Sequence, residues 1–331
     1  MKLNKTLGLA AASGLIASAS FVPAANAQIE LGEGFSATGF LDMSYFYSDV
    51  DGDTESDISF GIDQFEIDFM WAGNNGISAQ VDVEYGTFSN DADGDEDTEE
   101  DVTFVEQAFV TKQMGDKFSV KAGRFLSYTG WETEEPTGLY QFSGAGYAGL
   151  FYGGYQQGIS GMFDSDVVDV MFSFVNDAFD PANYDRESVE IEAGIAISPS
   201  ELFTAKLFYT MDDGNDTDII NFWASVTPGN WTFAFEYNVA DYDSAGEADG
   251  GLLMANVAVG NWGFTGRYST FTLEDDLGNI IQENDAITLA AFVSASDNLT
   301  VVAEIRQDSD NFGGPSDVDS TTAALEFLFT F

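Results

Sequence analysis

Thr321-Thr322-Ala323-Ala324-Leu325-Glu326-Phe327-Leu328-Phe329-Thr330-Phe331 is the stretch whose reading decides the fold. Counting back in twos from the last residue puts Phe331, Phe329, Phe327, Leu325 and Ala323 on one face. Thr330, Leu328, Glu326, Ala324 and Thr322 fall on the other. A period of two is a β-strand, and a face that is apolar throughout must be covered by something other than water. A soluble sandwich would cover it with a second sheet, and a membrane barrel would turn it to lipid.

The segments upstream repeat the pattern. Leu299, Val301, Ala303 and Ile305 oppose Glu304 and Arg306. Trp231, Phe233, Phe235, Tyr237 and Val239 oppose Glu236 and Asn238. Phe203, Ala205, Leu207 and Tyr209 face away from Lys206. Nearer the start, Ile77, Ala79, Val81, Val83 and Tyr85 oppose Asp82 and Glu84; Phe65, Ile67, Phe69 and Trp71 oppose Glu66 and Asp68. Phe40 to Tyr47 opens the series, and Val102 to Thr111 is a strand of ambiguous parity. The total is about 16 strands, an even number suited to a closed antiparallel barrel.

The connections alternate in length and charge. Gly73 to Gly76, Gly115-Asp116, Asp164 to Asp166, Pro199-Ser200, Pro228 to Asn230, Gly260-Asn261 and Ser296 to Asn298 are short. Asp49 to Asp57, Asn90 to Asp101, Asp177 to Arg186, Asp212 to Asp218, Asp241 to Asp249, Glu274 to Asn284 and Asp308 to Asp319 are longer and acidic. Short periplasmic turns alternating with long external loops are the pattern of an outer-membrane barrel, and a sandwich has no reason to follow it. The reading is an all-β transmembrane antiparallel barrel in one domain, 28–331, located in the bacterial outer membrane. Its last strand resembles the closing strand of such barrels, in which a terminal aromatic residue is the assembly signal. Phe327, Phe329 and Phe331 fill that role by resemblance.

Residues 1–27 read as a signal peptide. Lys2 and Lys5 start it, Leu7 to Phe21 is apolar and small, and Ala25-Asn26-Ala27 is a cleavage site. The chain has 57 Asp and Glu against 10 Lys and Arg, a formal net charge of -47, and neither His nor Cys. Such a charge suits acidic loops and a wet lumen better than a compact soluble core. It excludes nucleic acid as a partner, because phosphate binding needs Lys and Arg. A mean hydropathy of -0.07 and the absence of a long uncharged apolar run after residue 27 exclude a spanning helix.

Ala122-Gly123-Arg124-Phe125, Gly130-Trp131-Glu132-Thr133-Glu134 and Tyr140-Gln141-Phe142-Ser143 carry a more specific likeness. This run resembles the OmpL-like β-barrel porins of the outer membrane. The local match covers roughly Val120 to Phe163, and the barrel pattern extends it. The resemblance implies a passive channel and names no substrate. The acidity is a departure from ordinary porins, so selectivity has to be argued from residues.

No motif supports catalysis: there is no His or Cys to act as base or nucleophile, and nothing singles out one carboxylate pair among the 57 acids. No cofactor and no metal site are expected. Asp49-Val50-Asp51-Gly52-Asp53 and Asp91-Ala92-Asp93-Gly94-Asp95 space carboxylates as calcium loops do, but Thr54 and Glu96 stand where an EF-hand needs Gly. Weak calcium binding by these acidic loops stays open. By parity the lumen carries Asp42, Glu66, Asp68, Asp82, Glu84, Asp169, Glu190, Glu192, Glu236, Glu304 and Glu326. Its bases are Lys121, Lys206, Arg267 and Arg306, while Arg124 falls outward.

Ser127 to Tyr152 is the longest connection. It is the candidate constriction, through Trp131, Glu132, Glu134, Glu135 and Tyr140, and an external position for it is the alternative. The four lumen bases could form a strip facing Glu132, Glu134 and Glu135. The functional expectation is a passive, cation-selective porin for small hydrophilic solutes; the alternative is a structural or divalent-cation-binding surface barrel with no open channel. Expected partners are outer-membrane lipid and lipopolysaccharide, the barrel-assembly machinery and small ions and solutes, with a homotrimer left open.

Overall fold

Strict alternation is clearest in Trp231–Asp241, where every odd residue is exposed and every even one is buried. The same pleat runs round the molecule. The structure, a computed structural model, describes residues 28–52, 54–89, 99–132, 135–177, 190–213, 216–242, 246–314 and 316–331. The expected signal peptide lies outside the described residues.

Sixteen long strands follow a short one. In chain order they are β1 (Ile29–Gly32), β2 (Phe35–Val50), β3 (Asp57–Ala72), β4 (Ile77–Ser89), β5 (Glu99–Gln113), β6 (Phe118–Leu126), β7 (Tyr155–Phe163) and β8 (Val168–Val175). There follow β9 (Glu190–Ser200), β10 (Phe203–Asp212), β11 (Thr217–Val226), β12 (Trp231–Asp241), β13 (Glu247–Val259), β14 (Trp262–Glu274), β15 (Ile280–Ser296), β16 (Leu299–Asn311) and β17 (Val318–Thr330). Each strand from β2 to β17 pairs antiparallel with the next. The ring closes where β17 pairs β2, from Ser320↔Val50 to Thr330↔Phe40. Closure leaves no edge strand in the ring of β2 to β17, the condition for sheet backbone in a bilayer.

The last residue completes the seam. Phe331 N–H donates to Gly39 O and Gly39 N–H to Phe331 O, both at 3.0 Å. The Phe331 ring lies against Phe65 and Phe329, with centroids 6.3 and 6.2 Å apart. It also covers Gly39, where a Cβ would sit 2.8 Å from the ring and 2.2 Å from Glu66 O. The strand β1 was not anticipated: its four residues are too few to show a period. It pairs with Phe35 to Ala37 of β2, beyond the point where β17 ends.

The outer face is a continuous apolar belt that includes Phe172, Phe222, Phe264, Leu253 and Leu289, all exposed. A belt of this size is intolerable in water and expected against lipid. At the upper end the strands run further than the sequence suggests. β13 begins at Glu247, β15 at Ile280, and β16 extends to Asn311. Several acids assigned to loops, among them Asp249, Glu283, Asp308 and Asp310, therefore lie on strand extensions. The acids on these extensions are tolerated if that part of the sheet stands clear of the hydrocarbon.

Among the register shifts of the described residues, two fall in mid-strand and break the parity. Opposite Asp42↔Gln64 and Met43↔Ile62 the register skips Asp63; opposite Asp82↔Gln107 and Val83↔Val105 it skips Glu106. A bulge puts an extra residue in one strand and re-aims its side chains. In β5 this puts Glu106 in the interior next to Gln107, and it is why Val102 to Thr111 has no single parity.

Candidate functional site: the lumen and its loop

Ser127 to Gly154, between β6 and β7, folds into the barrel. It contains a 3₁₀ turn, Pro136–Gly138, and one short helix, α1 (Ala148–Phe151). Its aromatics Tyr128, Trp131, Tyr140, Tyr147 and Phe151 are buried in one cluster with inward residues of the wall, among them Met162, Phe208, Trp223 and Phe271. Trp131 stacks on Tyr140 and meets Trp223 edge-on, with centroids 6.2 and 5.2 Å away. Met162, Phe208 and Trp223 point inward and seat this loop.

Loop backbone carries N–H groups that must find acceptors once water is excluded. Wall glutamates supply them. Glu236 accepts from Trp131 N–H at 3.0 Å, from Tyr147 OH at 2.9 Å, from Tyr152 OH and from Asn221 Nδ2. Glu192 accepts from Tyr128 N–H and Gln156 Nε2, each at 3.0 Å, and from Ser127 Oγ. Glu304 accepts from Phe142 N–H at 2.8 Å and Ser143 N–H at 3.1 Å. Burial and then the Glu236 charge hold the Tyr152 phenol well above its ordinary value, so it stays a donor.

Glu132 points back into the loop and the wall. It accepts from Ala145 N–H at 2.6 Å and Gln141 Nε2 at 2.8 Å, and pairs with Arg267 at 2.6 Å. Arg267 also donates to Ser143 O and Gly144 O at 2.7 and 2.9 Å. Arg306 donates to Gly144 O and pairs with Asp308, both at 2.5 Å. Lys121 lies over the rings of Phe109, Tyr128 and Phe125, at 4.6, 5.0 and 5.4 Å, and Lys206 over Trp223 at 4.8 Å. A basic strip facing the loop acids is not what forms. The four bases sit on β6, β10, β14 and β16, and of them Arg267 alone is paired with Glu132.

The acids collect elsewhere. Asp42, Glu66, Asp82, Glu84, Glu106 and Glu326 are buried on the inner faces of β2 to β5 and β17, with Asp68 half-buried among them. The loop reaches this wall at Glu135, whose Oε2 lies 3.5 Å from Gln64 Nε2. Desolvation there, and after it the Glu106 charge, hold the Glu135 carboxyl well above the usual carboxylate range. Trp131, Glu132, Glu135 and Tyr140 are thus all inside the barrel; Glu134 lies outside the described residues.

Asp63 and Glu106 were missed as lumen acids. The signal was present: Ile58, Phe60 and Ile62 keep even parity and Phe65, Ile67 and Phe69 odd, so a bulge must lie between them.

With the geometry in view, the family follows. The family model described as "Putative beta-barrel porin-2, OmpL-like" matches residues 34–331. The chain belongs to this OmpL-like porin family. It is accordingly a porin-type barrel of the bacterial outer membrane. Among solved structures it resembles an anion-selective porin from Comamonas acidovorans, at 15% identity and TM-score 0.66, covering 90% of this chain and 99% of that one. It also resembles the outer-membrane expressed OmpT of Vibrio cholerae, at 12% identity and TM-score 0.63, covering 92% and 100%. A third likeness is OmpF of Salmonella typhi in complex with daunomycin, at 14% identity and TM-score 0.66, covering 92% and 100%. At these identities the likeness is one of fold. No curated protein matches the sequence.

Proposed function

We propose that this porin is a passive, cation-selective channel for small hydrophilic solutes, narrowed by its inward loop and without catalytic chemistry. The observation that carries the reading is the acid wall of β2 to β5 and β17, in a lumen whose bases rest on rings or bind the loop. Charges of one sign on a narrow path concentrate counter-ions and repel co-ions. Glu236, Glu192 and Glu304 are excluded from that path, because their oxygens hold the loop. Single-channel recording with ion substitution tests the reading. The larger current should follow the cation when potassium is exchanged for a bulky organic cation, and exchanging chloride should change little.

A barrel closed by its loop is the second reading. The loop's contacts reach β9, β12, β14, β16 and, through Glu135, β3, and such contacts on all sides favour it. Absence of any steady conductance from folded protein would select it.

Outer-membrane lipid, lipopolysaccharide and the barrel-assembly machinery remain the proposed partners. A homotrimer is proposed on the likeness to OmpT of Vibrio cholerae, one structure of which is a trimer form; the mass of the detergent-folded particle checks it. The acidic loops remain weak calcium ligands by proposal, Asp53 and Asp91 to Asp95 lying outside the described residues.

A further inference from the structure

The β5 bulge gives the interior one carboxylate more than the pleat would. Glu66 of β3, Glu106 of β5 and Glu135 of the loop each offer an oxygen, and these oxygens lie within 4.8 Å of one another. Glu66 forms a second such group with Asp68 and Asp82. Glu66 and Glu106 are only 3% and 2% exposed, and Oε2 of each is buried with no hydrogen-bond partner. The amide donors nearby serve other atoms: Gln64 meets Glu135 at 3.5 Å, and Gln80 and Gln107 meet Asp82 at 2.9 and 2.7 Å.

Ionised carboxylates gathered away from water need a positive partner or must take up protons. The donor set is all oxygen, which selects a hard cation. Calcium accepts irregular sets of carboxylates at about 2.3–2.6 Å. Magnesium demands a tighter octahedron at about 2.0–2.1 Å and keeps its waters.

We propose that Glu66, Glu106 and Glu135 form a calcium site that clamps the inward loop to the β3–β5 wall, with Asp68 and Asp82 adding negative charge beside it. The site joins a bulged strand to the loop, so its occupancy fixes how far the loop stands from the acid wall. It does not depend on the channel being open.

Calorimetric titration of calcium into the chelator-stripped, detergent-folded barrel tests it, in salt of about 0.1 M to damp the exposed acidic loops. One site per barrel should stand out above a weak background. Glu106→Gln and Glu66→Gln should each weaken that site by about tenfold or more and leave the background unchanged. Should the strand variants fail to fold, Glu135→Gln, in the loop, gives the same reading. Wild-type affinity in folded Gln variants would overturn the site. So would background binding alone in the native barrel, which would mean that the carboxyls share protons instead. The measurement reads no current, so its failure would leave the channel reading intact.

Discussion

Glu236 shows how an inward carboxylate can serve the loop rather than the water path. It points inward as the alternation of β12 requires, yet it is wholly buried beneath the loop and accepts hydrogen bonds from Trp131, Tyr147, Tyr152 and Asn221. Glu236→Ala would orphan a buried backbone N–H and two phenols. Each buried donor left unsatisfied costs about 1–3 kcal/mol. The barrel itself would survive, because its strands keep their partners. The expected outcome is a normally folded channel with a loosened loop, seen as raised open-channel noise; quiet wild-type currents would argue against the anchor. Glu135 adds a dependence on pH. Its carboxyl is held above the ordinary value by desolvation and then by Glu106, with Asp68 and Asp82 adding to the repulsion. A raised acid binds its proton more tightly docked than free, so docking strengthens as pH falls and weakens as pH rises through the window above the ordinary value near 4.5. In calcium-free solution conductance should therefore fall on acidification within that window, and Glu135→Gln should flatten the dependence. A profile unchanged by Glu135→Gln would contradict this assignment.

At the scale of elements, the strands were legible because a lipid-facing belt forces strict alternation, as in Trp231, Phe233, Phe235, Tyr237 and Val239. The closing strand was legible for the same reason, and Phe331 completes a reciprocal backbone pair with Gly39. Deleting Phe331 removes that pair and its ring contact with Phe65. Less heat-modifiable barrel should reach the outer membrane; an undiminished yield would speak against the seam as the assembly signal. Strand ends were less legible, because above the bilayer lipid no longer dictates the pattern, and Asp308 or Glu283 reads as loop. The loop's destination was legible only as one of two alternatives. Nothing local in Trp131 or Tyr147 distinguishes packing on a wall from exposure; the pocket for them is made by Met162, Phe208, Trp223 and Phe271 on distant strands. Removing most of Ser127 to Gly154 should raise single-channel conductance several-fold. Unchanged conductance in a folded deletion would deny the loop its role as the narrowing.

For the whole molecule, fold and selectivity separate. The barrel resembles that of an anion-selective porin, yet the chain carries a formal net charge of -47. Many of its inner acids gather on β2 to β5 and β17, and among its inner bases Arg267 pairs with Glu132 and Arg306 with Asp308. The sign of selectivity should follow this arrangement. Salt weakens the effect, since the screening length falls from about 10 Å at 0.1 M to about 3 Å at 1 M. Zero-current potential across a potassium chloride gradient, with both sides kept dilute, tests the account most directly. The potential should have the sign given by potassium carrying the current and shrink as both solutions are made more concentrated; a zero or chloride-selective potential in dilute salt would contradict cation selectivity.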